Sequence, residues 1–411
     1  MKAISILISA ALITSACAQN DEIFLKETKL PNNEAVEFVN RLGLGWNLGN
    51  QMDAVNNGIS GETFWGNPVC TQDTFDELKS KGFSTVRIPV TWMGHIGEAP
   101  DYILDSEWLD RLAEIVGYAK NAGLNAIINS HHDDLPESGW LLVHKAAADE
   151  AFKAEMMAKF EALWRQVAER FADEGDWLIF EAYNELQDGN WGNGTNHTDG
   201  GKQYAVVNEL AQTFVNTVRA TGGRNAERYL AILGYSANPE LSVKNLTLPE
   251  DSASNRLVVS FHCYDPAGYA IGQNPSATEW GHTAREDRKV AGHGEENIIA
   301  TFKMVKEKYI DNNIPVYIGE FGAVNRKDEN ERLFQQYWLR FFARAARVYG
   351  LAPVIWDNGS RAICNEGFGF INHSDGSFIS DGSEAAIKAL IDAFTGKSTL
   401  SGIYKQAPVT D

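Results

Sequence analysis

Eight apolar, strand-like runs recur along the chain at fairly regular intervals: Leu42 to Asn50, Thr85 to Val90, Ala126 to His132, Trp177 to Glu185, Tyr229 to Tyr235, Leu257 to Tyr264, Val316 to Phe321 and Pro353 to Asn358. A parallel strand buried on both faces reads this way. Between the runs lie segments with helical spacing of apolar residues, clearest at Thr74 to Gly82, Trp108 to Ala122, Phe152 to Phe171, Tyr204 to Arg219, Ile298 to Tyr309 and Arg332 to Tyr349. Strands alternating with helices, eight times over about 350 residues, predict an α/β fold: a single (β/α)8 TIM barrel rather than two domains. Gly82 and Gly123 each fall just past a helix, where a left-handed stop belongs. An open doubly wound sheet would need a phosphate-binding glycine loop at its switch point, and none of these turns has one. The barrel is expected over residues 34–405, after a polar segment at 19–33 and a targeting segment at 1–18.

A barrel keeps its chemistry at the carboxyl ends of its strands, and polar residues cluster there. The fourth run ends in Asn184-Glu185 and the seventh in Gly319-Glu320. Two carboxylates delivered to one mouth form the pair that glycoside hydrolysis needs, an acid for the leaving oxygen and a partner for the oxocarbenium-like centre. Asn47 at the end of the first run, Arg87, His131, His262 and Tyr264 bring hydrogen-bonding groups to the same rim. An arginine and a tyrosine hydroxyl beside a nucleophilic carboxylate are expected to lower its pKa. Burial and a nearby carboxylate are expected to raise that of the acid. His131-His132-Asp133-Asp134 invites a metal reading, but it lacks i, i+4 pairs and cysteine knuckles. Neighbouring strand residues point to opposite faces, so only one of the two histidines is expected to face the lumen, and no metal is expected. Trp65, Trp92, Trp140, Trp191, Trp280 and Trp356 fall at or after strand ends, where exposed indoles suggest a platform for apolar sugar faces. About half of the six are expected to be ordinary packing; Trp65, Trp191 and above all Trp356 are the platform candidates.

A net charge of −19 disfavours nucleic acid and anionic lipid as partners and is indifferent to neutral polysaccharide. Lys2 followed by an apolar run from Ile4 to Ile13 and by Ala16-Cys17-Ala18 predicts export to a secreted or periplasmic location. Cleavage after Ala18 is one outcome. Lipidation of Cys17, as in an outer-membrane lipoprotein, is the other and the one route to membrane contact. Thr14, where lipoprotein signals usually carry Leu, favours cleavage. Cys70, Cys263 and Cys364 can form at most one disulfide and imply no framework, and Cys263 reads as a small buried apolar residue.

Gly45-Trp-Asn-Leu-Gly-Asn50, Val86-Arg-Ile-Pro-Val90, His131-His132, Tyr183-Asn-Glu185, His262-Cys-Tyr264, Ile318-Gly-Glu-Phe321 and Trp356-Asp-Asn-Gly359 occur in an order that resembles glycoside hydrolase family 5 over nearly the whole mature chain. That resemblance implies a retaining mechanism with Glu185 as acid/base and Glu320 as nucleophile. It further implies that Asn184 binds the 2-hydroxyl at the cleavage point, Arg87 and Tyr264 hold the nucleophile, and His131 contacts the same sugar. His262 would lie beside the acid/base and Trp356 would form the floor. Glu62-Thr-Phe-Trp-Gly-Asn-Pro68 is similar to the subgroup of endoglucanases, xyloglucanases and lichenases. The expectation is an endo-β-1,4-glucanase acting on β-glucan without metal or organic cofactor, as a monomer. Xyloglucan-specific or mixed-linkage cleavage is the rival within enzymes, and an inactive glycan-binding barrel the rival outside them.

Overall fold

A computed structural model describes residues 25–363 and 365–410. The targeting segment, with Thr14 and Cys17, and Cys364 lie outside the described residues. All eight strands form: β1 (Gly45–Asn47), β2 (Thr85–Ile88), β3 (Asn125–Ile128), β4 (Leu178–Glu181), β5 (Leu230–Leu233), β6 (Leu257–His262), β7 (Val316–Phe321) and β8 (Ala352–Ile355). They close into an all-parallel barrel in which β1 pairs with both β2 and β8. The crossover helices are α1 (Gln72–Lys81), α2 (Ser106–Ala122), α3 (Glu150–Arg170), α4 (Lys202–Ala220), α5 (Pro239–Asn245), α6 (Glu295–Lys308), α7 (Glu329–Val348) and α8 (Asp381–Thr395).

Local chemistry sets the helix ends. Asp149 caps α3 by accepting from the N–H groups of Ala151 and Phe152, and Ser380 caps α8 through Ser383. Gly82 and Gly123 end α1 and α2 in the left-handed conformation, as expected. α5 is only seven residues long, with Pro239 in its first turn, and too short for an apolar period to show. Below the barrel, the helix Glu34–Leu42 meets the strand beginnings: Thr85 Oγ1 donates to the Leu42 carbonyl and Asn125 Nδ2 to that of Arg41. Outside it, aromatic side chains of α7 form a dense layer in which Phe342 stacks on Phe321 and Trp280 packs against Tyr337, Trp338 and Phe341.

One irregularity bears directly on function. β7 carries an extra residue relative to both neighbours, since Ile318 and Glu320 face the consecutive Phe261 and His262, while Ile318 and Phe321 face Pro353 and Ile355. Gly319 is the inserted residue, and a bulge of this kind re-aims the side chain beside it. A Cβ on Gly319 would come within 2.8 Å of Ser260 Oγ and 2.9 Å of His262 Nε2, so the approach of β6 requires glycine.

Candidate active site

Arg87 on β2 bonds to both Glu181 on β4 and Glu320 on β7 although these strands are not neighbours, so the bonds cross the lumen. Arg87 is fully buried and uses its whole guanidinium fork. Nη1 donates to Glu320 Oε1 at 2.8 Å and to Asn47 Oδ1 at 2.9 Å; Nη2 donates to Glu181 Oε1 and Asn184 Oδ1, both at 2.7 Å. Nε adds two longer bonds to Glu181. Glu320 takes a second donor at its other oxygen, the Tyr264 hydroxyl at 3.0 Å. Among the described residues Glu185 bonds only to His262, with Nδ1 2.6 Å from Oε1. The two glutamates each place an oxygen within 4.8 Å of the other and of a His262 nitrogen.

This asymmetry decides where a proton resides. Glu320 faces a cation and a phenol, whereas Glu185 faces an imidazole that burial keeps neutral, its pKa pushed down to about 4. Burial drives the Glu185 carboxyl up to about 7; Glu181 adds to the rise and Arg87 opposes it. Glu320 is also raised, chiefly by burial, with His262 and Arg87 pulling it back. A net fall was expected for Glu320 from its arginine and tyrosine. The guanidinium is shared with Glu181, which takes three of its six bonds against one for Glu320, and burial prevails.

The expected residues mostly converge. Trp356, 9% exposed, lies parallel to the His131 ring at 5.8 Å, and Trp65, 43% exposed, packs near His132 while donating to the Val55 carbonyl. Trp92 and Trp280 are buried packing residues, and Trp140 donates to Asp133. Trp191 is 60% exposed on the loop after β4, and none of its bonds reaches the carboxylate pair among the described residues. Asn47 corrects an expectation. It is completely buried, its amide nitrogen bonded to the carbonyls of Gly319, Val354 and Ile355 and its oxygen to Arg87. No atom is left for substrate; it ties the bulge to β8. Cys70 and Cys263 are buried free thiols, and burial pushes that of Cys263 up to about 12.

The histidine pair is a second correction. β3 ends at Ile128, so strand alternation does not govern residues 131 and 132, and both Nε2 atoms face the buried Asp53, at 4.0 and 3.7 Å. Asp53, His131 and His132 could in principle hold a cation. The hydrogen bonds of Asn129 argue against it. Its Oδ1 accepts from the Val90 N–H, so Nδ2 must face Glu181 and His131 Nδ1; the reverse orientation would set oxygen against carboxylate. His131 Nδ1 is thereby the acceptor and Nε2 carries the proton, which removes the lone pair a metal would need. His131 Nε2–H instead lies 3.9 Å from Glu320 Oε1, the oxygen that Arg87 holds. Burial raises Asp53 to about 7. Asp53, Asn129, Glu181 and Tyr317, whose hydroxyl donates to Glu181, are site residues that sequence reasoning missed.

A carboxylate pair at the mouth of a closed (β/α)8 barrel, one member anchored by arginine and tyrosine and the other raised by burial to about 7, is the arrangement of a glycoside hydrolase. The family described as cellulase (glycosyl hydrolase family 5) matches residues 49–362. Endoglucanase A of Paenibacillus barcinonensis is 35% identical over 354 residues, covering 82% of this chain and 85% of its own. A Bacteroidetes-affiliated GH5 cellulase linked with a polysaccharide utilization locus superposes with a TM-score of 0.89 at 46% identity, over 92% of this chain and 98% of that one. A GH5-4 broad specificity endoglucanase from Bacteroides salanitronis gives 0.86 at 46%, over 90% and 97%. The chain belongs to glycoside hydrolase family 5 and is a hydrolase of the endoglucanase type.

Proposed function

We propose that the protein is an exported endo-β-1,4-glucanase working with net retention. Glu320 attacks the anomeric carbon as Glu185 gives its proton to the departing glycosidic oxygen, leaving a glycosyl ester on Glu320. Glu185, now a carboxylate, takes a proton from water, which attacks the same carbon and frees Glu320. The observation that carries the reading is the spacing of the pair. Oxygens within 4.8 Å fit a retaining pair, about 5–5.5 Å between carboxyls, better than an inverting pair at about 6.5–9.5 Å. Asn184, held at its oxygen by Arg87, keeps its amide N–H groups for the 2-hydroxyl, and His131 Nε2–H and the Trp356 face complete the subsite.

Azide separates the two roles. Glu185→Ala should form the glycosyl-enzyme from an aryl glycoside with an acidic phenol and then stall. Azide should rescue it and give the β-glycosyl azide, while Glu320→Gln should lose activity on every substrate. An α-azide from the Glu320 variant would reverse the assignment. The likeness to a broad-specificity enzyme favours, as a second reading, cleavage of xyloglucan and mixed-linkage glucan as well; rates on carboxymethyl cellulose, xyloglucan and barley β-glucan decide it. Export rests on the sequence from Lys2 to Ala18. No helix among the described residues is long and apolar enough to cross a membrane.

A further inference from the structure

Glu181 is the fully buried carboxylate at the end of β4, four residues before Glu185 and below the cleft floor. Both its oxygens are occupied: Oε1 by Arg87 Nη2, Arg87 Nε and Asn129 Nδ2, Oε2 by Arg87 Nε and the Tyr317 hydroxyl. It cannot reach substrate, and a buried ion pair is weak evidence for stability, because well-packed apolar residues often do as well. Its use must be sought in the chemistry. We propose that Glu181 is the standing counter-ion of Arg87, a positioning residue that keeps the guanidinium paired while the charge of Glu320 is consumed in the reaction. This rests on Glu320 being the nucleophile and Glu185 the acid/base.

The charge count through the reaction carries the argument. In the form that reacts, Glu185 is protonated, His131, His262 and Tyr264 are neutral, and Arg87 is the ionised cation bonded to two carboxylates, Glu181 and Glu320. During glycosylation the Glu320 carboxylate donates an electron pair to the anomeric carbon and becomes an uncharged ester. The sugar ring passes through a cationic state. Arg87 would then be left with an unneutralised buried charge beside a developing cation. With Glu181 in place, Arg87 and Glu181 form a neutral pair at that moment, and the Nη1 donor stays aimed at the ester oxygen. The geometry divides the fork accordingly, the Nε and Nη2 edge to the permanent partner and Nη1 to the reacting one. The same carboxylate raises the proton affinity of Glu185.

Glu181→Gln keeps the shape and removes the charge. The groups facing position 181, namely Arg87, Tyr317, Asn129, His262 and Glu185, then see a site more positive by one unit. Both limbs of the kcat/KM pH profile should move to lower pH, by roughly one unit. From about 7 for Glu185, that shift alone lowers kcat/KM at pH 7 about fivefold. Glycosylation of the enzyme by an activated aryl glycoside should slow further, read as a loss in kcat/KM larger than the loss in binding of an unreactive oligosaccharide. Glu181→Asp retains the charge on a shorter arm. Its limbs should stay within about 0.3 pH unit of the parent while kcat falls.

Limbs that stay in place in a folded Glu181→Gln protein, or that move in Glu181→Asp, overturn the proposal. If Glu181→Gln does not fold, the aspartate variant decides alone. Unmoved limbs with lower kcat support the proposal, and parent values of both sink it. Azide rescue of Glu185→Ala keeps this result distinct from failure of the acid/base assignment.

Discussion

Replacing Glu185 by Gln should make the enzyme inactive on glucan and more stable above pH 6. The carboxyl titrates at about 7 in the folded protein against an ordinary 4.5. At pH 7 it is half ionised when folded and almost fully ionised when unfolded. The native state therefore binds more protons, and stability falls as pH rises from about 4.5 through 7. With the 2.5-unit difference the loss at pH 7 is about 3 kcal/mol, an upper figure because the side chain is 19% exposed. Glutamine has no such term and can pair with His262 Nδ1 through its oxygen or its amide N–H, whichever tautomer the ring adopts.

For a chain of 411 residues the unfolding entropy is roughly 0.9 kcal/mol/K, so the variant should melt about 3–4 °C above the parent at pH 7 and level with it near pH 4.5. Asp53, raised by burial to about 7, slopes the same way in both proteins and cancels in the difference; Asp134, raised to about 8 by burial and by the Glu185 charge, is less raised in the variant, which adds to the difference in the same direction. The assay is a pair of melting curves across pH 4.5 to 8, beside kcat/KM for the parent on glucan, whose descending limb should lie near pH 7. A Tm difference that is flat with pH, or of opposite sign, would refute the claim that Glu185 is held protonated by burial.

Trp356→Phe should keep much of the activity and Trp356→Ala lose substantially more if, as proposed, the ring face parallel to His131 meets the sugar; equal losses on β-glucan would assign Trp356 a structural role. Arg228, buried before β5 with no carboxylate bonded to it among the described residues, donates to the carbonyls of Phe171, Glu174, Gly175 and Leu178 and to Asn225 Oδ1. Arg228→Met strands those acceptors at the barrel floor and should lower stability by about 3–5 kcal/mol, with kcat unchanged because the glutamates lie at the opposite end; denaturant unfolding and initial rates check both.

The strands, the barrel and the two glutamates were legible because each depends on a local pattern: an apolar run, then a polar tip. Gly319-Glu320 carried more than was read from it, since glycine before the glutamate marks the bulge that turns the carboxylate into the mouth. Asn47 was misplaced because a three-residue β1 ends below the rim, and its position relative to the cleft depends on how far β7 and β8 extend past it. The histidine pair was misjudged by carrying strand alternation three residues past the end of β3. Asp53 lay in no strand, and no spacing to its histidines could single it out.

Glu181 is a different kind of miss, because its signal was present. A glutamate inside Leu178-Ile-Phe-Glu181 and an arginine inside Thr85-Val-Arg-Ile88 are charges in strands that are otherwise apolar, and neither can be left unpaired there. In a closed barrel, inward-pointing residues of alternate strands share one layer, and β2 and β4 are alternate strands. Opposite charges in such strands are therefore candidates for one another across the lumen before any coordinates are known. The pairing predicts the buried fork, and the fork in turn leaves Nη1 as the end that can face a third strand. That end meets Glu320, so the anchor of that carboxylate follows from two misplaced charges and a strand count.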